Sequence, residues 1–247
     1  MTPPRVEVRL LSTRDDFLAH DDVLQRVWGM STPLVTLEML TAIAHSGGYV
    51  AGAFDLETAT MVGASVGFLA DHHGHRALHS HVTGVLPEVR HAGLGRSMKL
   101  HQRAWAAEHG LAWITWTFDP LVRRNAWFNL AILGADVDAY LPSFYGTMTD
   151  AINVGDESDR LLTAWNVHAP VTDQPRDGRE LTSDGRASDA VTFVPTPSDI
   201  VELRRTDPAA VARWRADTRM ALTTALDAGK SVLGFTRDGH YVIGSAP

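Results

Sequence analysis

The stretch Val85-Leu86-Pro87-Glu88-Val89-Arg90-His91-Ala92-Gly93-Leu94-Gly95-Arg96-Ser97-Met98 limits the possible folds of this chain more than any other. A strand end meets Pro87, passes two glycines and enters a helical pattern with Leu94, Met98 and Trp105 on one face. At the start of such a helix the backbone N–H groups have no intrahelical partner, and the helix dipole favours negative charge. Gly93 and Gly95 remove the side chains that would keep an anion at a distance. The pattern therefore predicts a pyrophosphate-sized anion site at a strand-to-helix turn.

Three kinds of loop use this geometry, and residue types separate them. A P-loop needs Gly-Lys-Ser/Thr, but Gly95 is followed by Arg96-Ser97. A dinucleotide fingerprint needs a third small residue where Met98 stands, although Asp119 has roughly the spacing of its acidic partner. The third kind is the pyrophosphate loop Gln/Arg-x-x-Gly-x-Gly/Ala of the GNAT acyltransferase superfamily. Arg90-x-x-Gly93-x-Gly95, with its Val85-x-Pro87 lead-in, resembles that loop. The resemblance continues through Asn125-Ala126 to Gly134-Ala135, which is similar to the second GNAT motif, and covers residues 1–166. The strings Trp116-Thr117-Phe118-Asp119-Pro120, Asn125-Ala126-Trp127-Phe128-Asn129, Phe144-Tyr145-Gly146 and Ser158-Asp159-Arg160 resemble a bacterial group that includes amino-acid N-acyltransferases, some of them N-succinylating.

Periodicity supplies the wider organisation. Strand patterns cover Val6 to Leu11, Tyr49 to Asp55, Met61 to Leu69, Leu78 to Leu86, Leu111 to Phe118, Val137 to Tyr145 and Leu161 to Val167. Helical patterns end at Gly29 and run over Thr36 to Ala44, Leu94 to Glu108 and Leu121 to Leu133. The predicted class is α/β (α+β), a GNAT-like mixed, mostly antiparallel sheet flanked by helices. Residues 1–166 are the expected acyltransferase core, 167–190 a polar linker, and 191–247 an extension packing on the core. The extension reads as a helix from Ala209 to Ala228 followed by a hairpin around Asp238-Gly239.

Composition narrows the chemistry. Without cysteine there is no thiolate nucleophile, disulfide or Cys-ligated zinc. A net charge of -7, with lysine only at positions 99 and 230, opposes a nucleic-acid partner. No run approaches the roughly 18 apolar residues of a membrane span, and no apolar leader follows Met1, so no membrane contact and a cytoplasmic location are expected. His72-His73-Gly74-His75 has no acidic partner at a known metal spacing, so no metal is expected.

The resemblance implies an acyl-CoA donor, acetyl-CoA or one such as succinyl-CoA, and direct attack by the primary amine of a small-molecule acceptor in a ternary complex. It places the cofactor against Val85, Leu86, Arg90, His91, Ala92, Gly93, Leu94, Gly95 and Arg96, with Asn125 and Asn129 supporting the CoA arm. A backbone N–H of Val85 or Leu86 would polarise the thioester carbonyl. His79 stands eleven residues before Arg90, where one GNAT branch carries its catalytic glutamate, and His81 follows on the same strand face; both are candidate bases, or polar residues satisfied within the sheet. Leu130 occupies the position where many members carry a general-acid tyrosine, which leaves Tyr145 as the candidate acid, with Tyr140 beside it. Asp119 is read as a substrate contact or as a cap for the segment starting at Pro120. Arg123, Arg124 and Arg160 are read either as partners of anionic groups on CoA or an acidic acceptor, or as surface charge. Two other readings remain: a non-catalytic acyl-CoA-binding module, and an extension that forms a homodimer or closes over the site.

Overall fold

A computed structural model describes residues 5–146, 156–171, 173–180 and 191–245, without the side chains of residues 90–92. Residues 181–190 of the expected linker lie outside the described residues. The chain forms two compact units, Met1–Thr115 and Trp116–Pro247, which divide within a strand.

The first unit runs β1 (Val6–Leu10), α1 (Arg14–Trp28), α2 (Leu37–His45), β2 (Tyr49–Asp55), β3 (Met61–His72), β4 (His75–Val85), a 3-10 turn (Pro87–Ala92), α3 (Leu94–Glu108) and the start of β5 (Trp113–Phe118). Its strand order is β1-β2-β3-β4-β5, antiparallel except for the parallel β4–β5 pair. Local chemistry sets the ends. Thr13 and Thr36 accept hydrogen bonds from Asp16 N and Met39 N and so cap α1 and α2, and Gly29, at φ 63°, closes α1 in the left-handed region. β3 and β4 extend further than their apolar pattern indicates, because His73 and Gly74, at φ 51° and 78°, form a tight hairpin turn between polar strand ends.

Leu24, Leu40, Val50, Ala64, Val66, Leu94 and Met98 belong to one apolar core, each buried Leu, Val or Met side chain contributing about 1.5–3 kcal/mol. Met98 fits because Gly63 on β3 has no side chain: a Cβ there would lie 2.7 Å from the Met98 sulfur.

In the second unit β5 ends and is followed by α4 (Arg123–Ala126, continued by a π-helical turn Trp127–Ile132), β6 (Asp136–Leu141), β7 (Arg160–Asn166), β8 (Thr192–Pro195), α5 (Ile200–Thr206), α6 (Pro208–Asp227), β9 (Ser231–Phe235) and β10 (His240–Gly244). Strand neighbours are β5-β7-β6, with β6 and β7 antiparallel, and a separate antiparallel sheet β8-β10-β9. β6 stops at Leu141, short of the expected Tyr145, where Ser143 turns the chain at φ 45°. Residues from both sides of the expected linker share one core here: Phe118, Leu130, Tyr140 and Leu161 pack with Leu222, Phe235 and Tyr241. The Tyr241 hydroxyl adds a 2.7 Å hydrogen bond to the Pro120 carbonyl. The fold is thus the expected mixed, mostly antiparallel one with helices and a C-terminal hairpin sheet. Among the described residues no helix is long and apolar enough to cross a membrane.

Candidate functional site

In the first unit the end of β4 leads straight into the glycine turn. Pro87 opens the 3-10 turn, its fixed φ suiting the first helical position, and Gly93 at φ 75°, ψ 3° redirects the chain into α3. Nothing lies within 4 Å of where a Gly93 Cβ would be. Gly93 offers α3 no capping side chain, and no acidic residue stands in the first turn. Gly93 itself therefore leaves the leading N–H groups of α3 without a side-chain cap. Leu94, 2% exposed, anchors the helix start in the core, while Gly95 and Arg96 are half-buried. Arg90, His91 and Ala92 contribute backbone to the turn, and their side chains lie outside the described residues.

The strand-end amides differ. Leu86 N donates to Val62 O at 2.9 Å, so that N–H is already used. By the alternation of an antiparallel ladder, the N–H of Val85, paired with Gly63, points away from β3. β4 pairs with β5 only over Ala77 to His79, and beyond His79 no further β5 partner is recorded among the described residues.

The β3–β4 register slips between Val66 and Gly67, leaving His81 as an extra, bulged residue. The bulge keeps His79 and His81 near one ring: Phe68 lies 5.3 Å from the first imidazole and 5.8 Å from the second. His79 Nδ1 is 3.1 Å from Thr115 Oγ1. Burial first, then the charges of His81 and Lys99, pull the His79 pKa down to about 4, and partial desolvation also lowers His81. His79 is therefore neutral at neutral pH, with a lone pair able to take a proton. A cavity of about 340 Å³ opens beside His81, lined by Leu34, Val35, Met39, Ile43 and Phe68 among others.

Sequence reasoning missed Lys99. It is 5% exposed on α3, donates to Ser80 Oγ at 2.8 Å and Gln102 Oε1 at 3.2 Å, and burial lowers its pKa to about 7. Its only sequence signal was the scarcity of lysine.

The second unit holds the other candidates. Asn125 is exposed on α4 and Asn129 is buried in the π-helical turn, where its carbonyl accepts from Ala135 N at 3.0 Å. Leu130 is 6% exposed in the apolar core. The Ser158-Asp159-Arg160 string builds the surroundings of Tyr145. Ser158 Oγ accepts from Tyr145 N at 2.8 Å and donates to Gly146 O at 2.6 Å, clamping the turn after β6. Asp159 accepts from Ser143 N at 2.9 Å and from the Tyr140 hydroxyl at 2.5 Å, which engages Tyr140 structurally. Tyr145 remains 44% exposed, with its hydroxyl 3.3 Å from Thr117 Oγ1. Arg160 lies over its ring at 5.3 Å.

Asp119 sits in a buried ion network. Its oxygens accept from Arg215 at 2.7 and 3.1 Å, from Arg204 at 2.5 Å and from Leu121 N at 2.9 Å. Asp156 joins the same two guanidiniums at 2.5 and 2.8 Å. Burial alone would raise the Asp119 pKa, but Arg215 and Arg204 outweigh it and hold the carboxylate ionised. Its oxygens are thus taken up by arginines and by the local turn, while the helix that follows starts at Arg123 with Val122 at its N-cap and no side-chain cap.

Comparison with known proteins places this geometry. No family model and no curated protein matches the sequence. Solved structures do match in fold. A ribosomal-protein-S5-alanine acetyltransferase from Vibrio fischeri aligns with TM-score 0.52 and 16% identity over 67% of this chain and 96% of its own. The ribosomal-protein-S18-alanine N-acetyltransferase from Escherichia coli aligns with TM-score 0.52 and 14% identity over 70% of this chain and 100% of its own. The NatC complex bound to Gag peptide and CoA supplies a third match, with TM-score 0.51 and 11% identity over 66% of this chain and 98% of its own. The fold is that of the GNAT acetyltransferases.

Proposed function

We propose that the chain is an acyl-CoA-dependent N-acyltransferase that moves an acetyl group, or another small acyl group such as succinyl, from CoA to a primary amine of a small molecule, amino acids included. The observation that carries this is the glycine-cornered turn at Gly93, opening into an uncapped helix within a GNAT fold. The leading amides of α3 would grip the pyrophosphate, aided by Arg96, with Asn125 and Asn129 supporting the CoA arm. The thioester supplies an activated acyl carbon. The protein's own groups do the rest.

The Val85 N–H stabilises charge developing on the carbonyl oxygen, an interaction that strengthens toward the transition state. His79 or His81 takes the proton of the attacking ammonium, both being neutral enough at pH 7 to accept one. Tyr145 keeps an exposed hydroxyl for protonating the departing thiolate. The cavity beside His81 would seat an apolar part of the acceptor. A second reading, an acyl-CoA-binding module without turnover, is favoured by one fact: Leu130, at the usual acid position, is a core residue with no hydroxyl to give.

Calorimetry with CoA and acetyl-CoA, followed by thiol release with a panel of amines, separates the two. Binding with release supports the transferase, binding without release with any amine supports the module, and no binding defeats both.

A further inference from the structure

We propose that Arg160, flanked by Tyr145 and Thr117, is a carboxylate-binding site, taking the carboxylate of an amino-acid acceptor or that at the far end of a dicarboxylic acyl donor. The inference rests on the acyltransferase reading above and names the chemistry its substrate must carry. It comes from a contrast among the arginines of the second unit. Arg204 and Arg215 each touch two carboxylates, Asp119 and Asp156, at 2.5–2.8 Å, and Arg219 binds Asp159 at 2.6 Å. Arg160 is as deeply placed, 8% exposed, yet forms no ion pair among the described residues. Its only partners there are its neighbour's carbonyl, Asp159 O, 2.9 Å from Nη1, and the face of the Tyr145 ring.

A guanidinium withdrawn from water without a counter-charge is costly, and a ring face compensates only part of that cost. Burial is the main influence lowering the Arg160 pKa; Asp119 and Tyr145 oppose it, and Arg215 and Arg204 add repulsion. Arg160 is thus the arginine of this group that has no carboxylate of its own among the described residues. Asp119 and Asp156 are already committed to Arg204 and Arg215, and Asp159 to Arg219. The fork of Arg160 is held in place, since Asp159 is fixed by Tyr140 and Ser143 and the turn carrying Tyr145 is clamped by Ser158. Tyr145, 44% exposed, makes the place reachable, and its hydroxyl and that of Thr117 share a 3.3 Å hydrogen bond that leaves one O–H of the pair to donate. One planar cation beside a neutral hydroxyl pair suits a carboxylate, which a guanidinium holds bidentately. A diphosphate would call for more positive charge.

The experiment compares the full-length wild type with Arg160→Lys, which keeps the charge but loses the fork, and with Arg160→Gln. KM is measured for amino acids against the corresponding amino-acid amides, with acetyl-CoA and with succinyl-CoA. A loss of about 10- to 100-fold for the amino acid alone, the amide being unaffected, places the acceptor carboxylate on Arg160. The same loss for succinyl-CoA alone, with acetyl-CoA unaffected, places the donor carboxylate there. Unchanged ratios for both pairs overturn the proposal, leaving Arg160 only its packing on Tyr145. If the wild type binds CoA but turns over no amine, the transferase reading has failed, and the carboxylate site is judged by binding. In that case N-acetyl amino acids or succinate should raise the Tm of CoA-saturated wild type and not of Arg160→Lys; equal shifts, or none, overturn it.

Discussion

Acidification should destabilise the folded chain through a histidine that takes no part in the proposed chemistry. His20, on α1, has no exposed surface, and neither ring nitrogen has a hydrogen-bond partner among the described residues. Burial lowers its pKa from 6.5 to about 4, with the nearby backbone of Ser65 offsetting a smaller part. Between those two values the unfolded chain binds a proton that the folded chain refuses. The stability due to neutral His20 is therefore complete above about pH 6.5 and is lost as the pH falls toward 4. At about 1.4 kcal/mol per pH unit, the loss reaches about 2 kcal/mol by pH 5. His79, also drawn down to about 4, adds a loss of the same sign, whereas Asp119, held low by its arginines, begins to matter only below its usual range near 4. Histidines thus dominate the window from pH 6.5 to 4.

His20→Leu keeps much of the volume and removes both unpaired nitrogens and the proton. Urea unfolding of wild type and variant at pH 7.5 and pH 5 should show the wild type losing about 2 kcal/mol more than the variant over that interval. If both lose stability in parallel, the imidazole is not excluded from protonation in the folded state and the reasoning is wrong.

Other outcomes follow from the candidate site and its surroundings. Gly93→Trp forces a side chain onto a residue at φ 75° and fills the turn with an indole, so calorimetric binding of acetyl-CoA should vanish; wild-type heat would refute the loop assignment. Asp119→Ala leaves Arg204 and Arg215 sharing Asp156 alone and should cost about 3–5 kcal/mol in urea unfolding, where a loss under about 1 kcal/mol would mean that the network is not a structural tie. Changing both His79 and His81 to Ala should lower turnover about 100-fold or more while acetyl-CoA binding holds, and undiminished turnover would remove both from the chemistry.

The glycine turn was legible in the sequence because its determinants are local. Pro87 fixes one φ, Gly93 permits a positive one, and Leu94, Met98 and Trp105 fall on one helical face, all within about twenty residues. The same locality exposed the strand patterns of β2 and β3. The polar stretch after residue 166 gave less. It was read as a linker to an extension packing on the core, and Leu222, Phe235 and Tyr241 share a core with Phe118 and Tyr140. Composition reports where chain is not buried, but cannot say which apolar faces meet across it.

The sequence by itself determined where the backbone must turn and which helix begins without a capping side chain, and hence where we propose that an anion is gripped. Tertiary structure alone decided which charges are spent and which remain. Asp119 looked available until Arg204 and Arg215, 85 and 96 residues further on, closed around it. Arg160 looked like one arginine among many until the others had taken the neighbouring carboxylates. Backbone torsions are settled by sterics between adjacent residues, whereas a buried charge is settled by distances of a few ångströms between groups far apart in the chain, and only folding sets those distances.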